Sequence, residues 1–126
     1  MLTRRTFIAA SATSLGAPAL IGRAFGQDSW PNRPIRLIVP YPAGGGADTI
    51  ARLVGGRLGE MWGQQLVVEN RGGAGGNIAS EAAARSAPDG YTLYLAGEFQ
   101  STNLFIYPKL PYDPVADFAP VSLVVK

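Results

Sequence analysis

Apolar positions follow two different rhythms along this chain. Ile35-Arg36-Leu37-Ile38-Val39 is a short apolar run between prolines, which suits a strand buried in a parallel sheet. Pro40 and Pro42 exclude helix at its exit and hold the chain extended. From Asp48 the period lengthens. Ile50, Leu53, Val54, Leu58, Met61 and Trp62 recur at three- and four-residue spacing and predict one apolar helical face, with Arg52, Arg57 and Glu60 on the others. Asp48 is the expected N-cap and Gly63 the expected stop. Gly55-Gly56 weakens the middle of this helix by about 1 kcal/mol per glycine relative to alanine; close packing on the sheet would account for the pair.

The same alternation repeats. Leu66 to Val68 predicts a second strand. Ile78 to Ala87 predicts a second helix with a small-residue face of Ala79, Ala82 and Ala83, ended by Pro88. Asp89-Gly90 is a turn signal, and Tyr91 to Leu95 predicts a third strand. Ala96 to Asn103 is polar and predicts a loop or the start of a helix. Tyr107 to Pro114 is a proline-rich surface segment, and Phe118 to Val125 predicts a further strand. An order of β-α-β-α-β, an irregular connection and a last β implies an α/β fold with a mostly parallel sheet and right-handed crossovers. Ligands of such sheets sit beyond the carboxyl ends of the strands.

Two glycine-rich turns fall at that edge. Pro40-Tyr41-Pro42-Ala43-Gly44-Gly45-Gly46-Ala47-Asp48 follows the first strand, and Arg71-Gly72-Gly73-Ala74-Gly75-Gly76 follows the second. A strand, a glycine turn and a helix leave free backbone N–H groups at the positive helix end, which is a seat for an anion. Two such turns side by side point to a carboxylate held in a cleft, with no chemistry done on it. The first turn lacks the Gly-Lys-Ser/Thr ending of a P-loop and the Gly-x-Gly-x-x-Gly spacing of a dinucleotide site.

Composition narrows the classes further. The chain has 126 residues, one domain at most, with no cysteine and no histidine. Disulfide scaffolds, thiol catalysis, most zinc sites and Ser-His-Asp mechanisms are excluded for these residues. Met1 to Gly26 reads as an export signal: the Arg4-Arg5 pair, a weakly apolar stretch from Phe7 to Ile21, and Ala24-Phe25-Gly26 ahead of a cut before Gln27. The route is Tat or Sec, and the stretch is too short and polar for a membrane span of roughly 20 apolar residues. Cleavage removes three arginines, which turns the formal charge of +2 into −1 and leaves no basic cluster for nucleic acid.

Trp30-Pro31-Asn32-Arg33-Pro34, the run from Ile35 to Asp48 with Ala51-Arg52 behind it, Val68-Glu69-Asn70-Arg71 and Gly73-Ala74-Gly75-Gly76 together resemble the Bug-type periplasmic receptors of the tripartite tricarboxylate transporter family. Ala87-Pro88-Asp89-Gly90-Tyr91-Thr92-Leu93, Tyr107 to Pro114 and Asp117 to Val121 continue the resemblance across nearly all of the expected mature chain. It implies a type II periplasmic binding protein-like fold, of which residues 27–126 supply the first part of lobe one, as in a truncated receptor. It also implies an extracytoplasmic, periplasmic receptor that is not an enzyme, uses no cofactor and no metal, and passes a small organic carboxylate to membrane permease subunits.

Carried onto this sequence, the resemblance gives three ligand-binding segments. They are Tyr41, Ala43, Gly44, Gly45, Gly46 and Asp48 in the first turn; Gly72, Gly73, Ala74, Gly75 and Gly76 in the second; and Glu98 and Ser101 in the loop from Gly97 to Asn103. Three positions depart from the family pattern. Gly72 replaces a usual proline, which should loosen the second turn. Leu104 replaces a proline after Asn103. Glu98 stands where small residues are common, in a loop that is also shorter. A carboxylate there would repel a polyanion, so tricarboxylates such as citrate are expected to be poor ligands.

Plainer roles compete for several of these residues. Asp48 serves equally as a helix cap, Glu69 as an ion-pair partner of Arg71, and Glu98 as a solvated loop charge. Trp62, Tyr94 and Phe118 are simplest as packing residues, while Tyr41 belongs to the turn itself. Two functional alternatives stay open: a secreted α/β enzyme with an anion pocket, and a non-functional fragment.

Overall fold

The computed structural model describes residues 29–124. The expected export segment, the last residue of the expected terminal strand and Lys126 lie outside the described residues. The core is a three-stranded parallel sheet in the order β2-β1-β3, built from β1 (Ile35–Val39), β2 (Leu66–Asn70) and β3 (Thr92–Tyr94). The register sets Leu37 between Val68 and Leu93, and Ile38 between Glu69 and Tyr94. β1 has a neighbour on each edge and a helix over each face, so four of its five residues are buried. That is why its sequence is a nearly unbroken apolar run.

α1 (Gly46–Trp62) covers one face of the sheet, where Leu37, Val39 and Ala51 form a buried cluster with Ala47, Leu66, Val68 and Leu93. α2 (Asn77–Ala84) covers the other face. Side chains alternate across a strand, so Arg36 and Ile38 point that way, and Arg36 Nη2 reaches Ser86 Oγ just past α2 at 2.9 Å. α3 (Phe99–Ile106) follows β3. The outer side of α3 leaves Leu104, Phe105 and Ile106 exposed.

The expected β1 matches the structure, and the other boundaries differ for identifiable reasons. β2 runs on through Glu69 and Asn70, because pairing with Ile38 and Val39 outweighs their poor strand propensity. β3 is shorter than Tyr91 to Leu95, although Tyr91 O and Leu95 N still bond to β1. α2 stops at Ala84, three residues early, and the chain turns at Ser86 ahead of Pro88. Phe99 to Asn103, the larger part of the polar segment Ala96 to Asn103, belongs to α3. Phe118 to Val124 is not a strand: no neighbouring strand pairs with it among the described residues, and Phe118 instead packs on Tyr94 and Tyr112.

Of the expected apolar face of α1, Ile50, Val54, Leu58 and Trp62 are half-buried and two positions are corrected. Leu53 and Met61 are 75% and 67% exposed, while Asp48, Ala51 and Gly55 are buried. The helix presses on the sheet with its small residues. A Cβ at Gly55 would come within 2.9 Å of Leu66 Cδ2, so the glycine permits the close approach that the sequence suggested. Gly63 ends α1 in the left-handed conformation, as expected.

Candidate functional site at the glycine turns

Both turns lie beyond the carboxyl ends of adjacent strands, and the chain end of β3 joins them there. β1 leads through α1 to β2 on one side, and β2 leads through α2 to β3 on the other. The gap between the ends of β1 and β3 is therefore the topological switch point, where α/β sheets bind ligands. Tyr41 enters this gap. Its ring meets Phe99 edge-on at 6.1 Å, and a Cβ at Gly97 would lie 2.7 Å from Tyr41 Oη. The exposed Glu98 is close enough to act on Tyr41, whose phenol is raised above its usual pKa first by burial and then by the Glu98 charge.

The first turn is open. Ala43, Gly44, Gly45 and Gly46 are all exposed. Gly45, extended at φ −79° and ψ 173°, is the N-cap just ahead of α1. A helix has no internal acceptors for its first N–H groups, so Gly46 and Ala47 present theirs at the positive end of a 17-residue helix.

Asp48 is not the N-cap. It stands inside the first helical turn and is 4% exposed. Its Oδ2 accepts the Gly44 N–H at 2.8 Å and the Arg52 Nε–H at 3.0 Å. The Arg52 hydrogen bond and the Gly44 amide hold its carboxyl at about 2, against the opposing effect of burial; the Asn70 amide and the Arg52 charge assist them.

The second turn is covered on its helix side. Ala74–Gly76 forms a single 3-10 turn ahead of α2. Gly72 to Gly75 are exposed, whereas Gly76 is buried under Phe99. Asn103 Nδ2 donates to Gly75 O at 2.8 Å and to Asn77 Oδ1 at 2.9 Å, and Tyr112 Oη donates to the same Asn77 oxygen at 2.8 Å. Below them Ser80 is fully buried, 3.1 Å from Gly76 O and 2.8 Å from Tyr94 Oη. Burial drives Tyr94 up to about 12, an effect that its Ser80 hydrogen bond opposes.

The two turns touch. Asn70 Nδ2 donates to Tyr41 O at 3.1 Å, Arg71 N donates to Val39 O at 2.8 Å, and a Cβ at Gly72 would meet Pro42 Cδ at 3.5 Å. The ion pair expected between Glu69 and Arg71 is present, and Arg36 joins it at 3.5 Å. All three segments chosen from the sequence thus meet at one edge of the sheet. Glu98 and Ser101 are exposed.

Sequence reasoning missed Asn77, Asn103 and Tyr112, whose buried amides and hydroxyl bind the second turn to α3. The sequence carried no local signal for them, because Asn103 closes a run that is already polar, Gln100-Ser101-Thr102. It missed Arg52 and Asn70 as supports of the first turn as well. Two shallow surface grooves, one along β2 beside Gly55 and one against Tyr107 to Pro114, include no residue of either turn. Among the described residues, no group of His, Cys, Asp or Glu is arranged to hold a metal ion, and no helix is long and apolar enough to cross a membrane.

Known proteins are similar to this chain in sequence and geometry. Residues 50–126 match the family described as tripartite tricarboxylate transporter family receptor. Protein BugT of Bordetella pertussis is 44% identical over 110 residues, which is 86% of this chain and 34% of BugT. The periplasmic binding protein BugD superposes with a TM-score of 0.69 at 40% identity, over 72% of this chain and 30% of BugD. MatC of Rhodopseudomonas palustris, solved with bound malate, gives a TM-score of 0.65 at 38% identity, over 75% of this chain and 32% of MatC. The chain spans about a third of the length of the curated relatives it matches. With that match over residues 50–126, this chain belongs to the tripartite tricarboxylate transporter receptor family.

Proposed function

We propose that this chain contributes the carboxylate-holding half-site of an extracytoplasmic solute receptor. The receptor binds a small organic acid without altering it and delivers it to the permease subunits of a tripartite-type transporter. The observation that carries this reading is the open N-terminus of α1 at the switch point, with Gly44, Gly45 and Gly46 exposed and the Asp48 carboxylate already occupied by its own donors. Backbone amides there meet a carboxylate without the intrusion of a Cβ. The malate bound by MatC, a relative of the same architecture, supports an acid as the ligand.

In this reading residues 1–26 are the export signal and residues 27–126 begin the receptor domain, in keeping with BugD as a periplasmic protein. Tyr41 closes the side of the seat, the exposed part of the second turn from Gly72 to Gly75 forms its floor, and Glu98 and Ser101 line the rim. The Glu98 charge near Tyr41 disfavours ligands with several negative charges.

Calorimetric titration with L-malate and with citrate, together with mass spectrometry of ligand retained through purification, tests the proposal. The expected result is an unaltered small acid, with malate bound more tightly than citrate. Turnover of a carboxylate ester or phosphate, or indifference to acids, would overturn it.

A further inference from the structure

Asp48 puts a negative charge at the positive end of α1, where an arriving anion needs a welcoming field. The structure shows how the conflict is resolved. Arg52, one turn along α1, donates from Nε to Asp48 Oδ2 at 3.0 Å and from Nη2 to Asn70 Oδ1 at 3.4 Å. Asn70 in turn donates to Tyr41 O at 3.1 Å, while Asp48 Oδ2 receives Gly44 N–H at 2.8 Å. The path Tyr41–Asn70–Arg52–Asp48–Gly44 therefore closes both ends of the first turn from behind and leaves its front free. Asp48 Oδ1 is buried without a partner among the described residues, so Arg52 is the cation on which this carboxylate relies.

On the reading of the first turn as the carboxylate seat, we propose that Arg52 is a positioning residue for ligand capture. It fixes the turn through Asp48 and Asn70, and it cancels the Asp48 charge toward the incoming anion. It touches no ligand itself. Its removal acts by freeing a negative charge beside the seat and by loosening Gly44.

The test compares the unaltered chain with Arg52→Gln and with Asp48→Asn/Arg52→Gln, using L-malate titration at about 0.01 M and about 1 M salt, between which the screening length falls from about 30 Å to about 3 Å. Arg52→Gln is expected to weaken malate binding at least about tenfold relative to the unaltered chain at low salt, because an unpaired charge within about 12 Å of the ligand costs that much or more at an effective dielectric of about 20. The ratio should shrink at high salt. The double variant should recover most of the loss, because asparagine keeps an oxygen for the Gly44 N–H and carries no charge. A double variant no better than Arg52→Gln, or a loss indifferent to salt, would overturn the proposal.

Amide hydrogen exchange at Gly44 gives a readout that needs no ligand. Its protection should fall in Arg52→Gln, and unchanged protection would overturn the clasp. Failure of the unaltered chain to bind malate would instead overturn the carboxylate seat, and Gly44 exchange tells the two failures apart.

Discussion

The two turns are both glycine-rich and follow adjacent parallel strands, yet they end in different states. The first is held from behind by charged and amide side chains and stays exposed at the front, at the start of a 17-residue helix. The second starts an eight-residue helix and is roofed by α3, with Phe99 on Gly76 and Asn103 on Gly75. Glycine content makes a turn able to approach a ligand. Which neighbours satisfy its backbone decides whether the approach is left free for one.

Paired glycine substitutions put the largest strain on this contrast. Gly76 has φ +88° and a Cβ there would overlap Phe99 Cε2 at 2.3 Å, whereas Gly44 has φ +86° with nothing within 4 Å. Both replacements by alanine incur the left-handed cost of about 1–2 kcal/mol. Gly76→Ala adds overpacking of about 1–3 kcal/mol. Urea unfolding should therefore rank Gly76→Ala well below Gly44→Ala, and equal losses would mean that the second turn is as open as the first.

The amides behind each turn come next. Asn103→Ala leaves the Gly75 carbonyl without its donor and weakens the support of buried Asn77, an expected loss of about 1–3 kcal/mol. Asn70→Ala removes a half-buried bond to Tyr41 O and should lose about 1 kcal/mol. The difference in denaturation midpoint between the two variants measures how much more tightly the covered turn is held.

Titration separates the turns by pH. Asp48 supports the first turn with a carboxyl at about 2 in place of 3.8. The unfolded chain binds the proton first, so this stabilisation is complete above about pH 4 and disappears as the pH falls from 3.8 through about 2. Tyr94 lies under the second turn with its phenol at about 12 in place of 10.0. There the unfolded chain loses the proton first, so the stabilisation is complete below pH 10 and is lost as the pH rises toward 12. Melting temperature against pH should accordingly lose part of its acid slope in Asp48→Asn and part of its alkaline slope in Tyr94→Phe.

The smallest effect concerns the contact between the turns. Gly72 is outside the left-handed region, and its Cβ would meet Pro42 only at 3.5 Å, an ordinary contact. Gly72→Ala should therefore stabilise the chain by about 0.4–1 kcal/mol by restricting the unfolded state. Thermal unfolding checks the sign. A loss would show that the second turn needs the freedom glycine gives it.

Much of the strand framework was legible because local and global demands agree in it. The run from Ile35 to Val39 is apolar on both faces, as a central parallel strand must be, and no residue in it favours another state. α1 was legible in extent but not in orientation. Hydrophobicity singled out Leu53 and Met61 along with the half-buried Val54 and Leu58, whereas the closest approach to the sheet falls at Ala51 and Gly55, where only small side chains fit. Asp48 was recognised as a helix-start residue, but its place in the first helical turn depends on where Gly44 and Arg52 come to lie. Phe118 to Val124 has the composition of a strand, and strand identity is conferred by a partner that composition does not name.

The sequence by itself determined the alternation of strand and helix, the placement of both glycine turns at the carboxyl edge, and the absence of thiol and imidazole chemistry, because each follows from residue type and short-range spacing. Tertiary structure alone decided that one turn stays open and the other is covered at its helix end. That choice rests on contacts between residues far apart in the chain, Asn70 with Tyr41 and Asn103 with Gly75, 29 and 28 positions apart. No local rule of propensity or periodicity reaches over such separations.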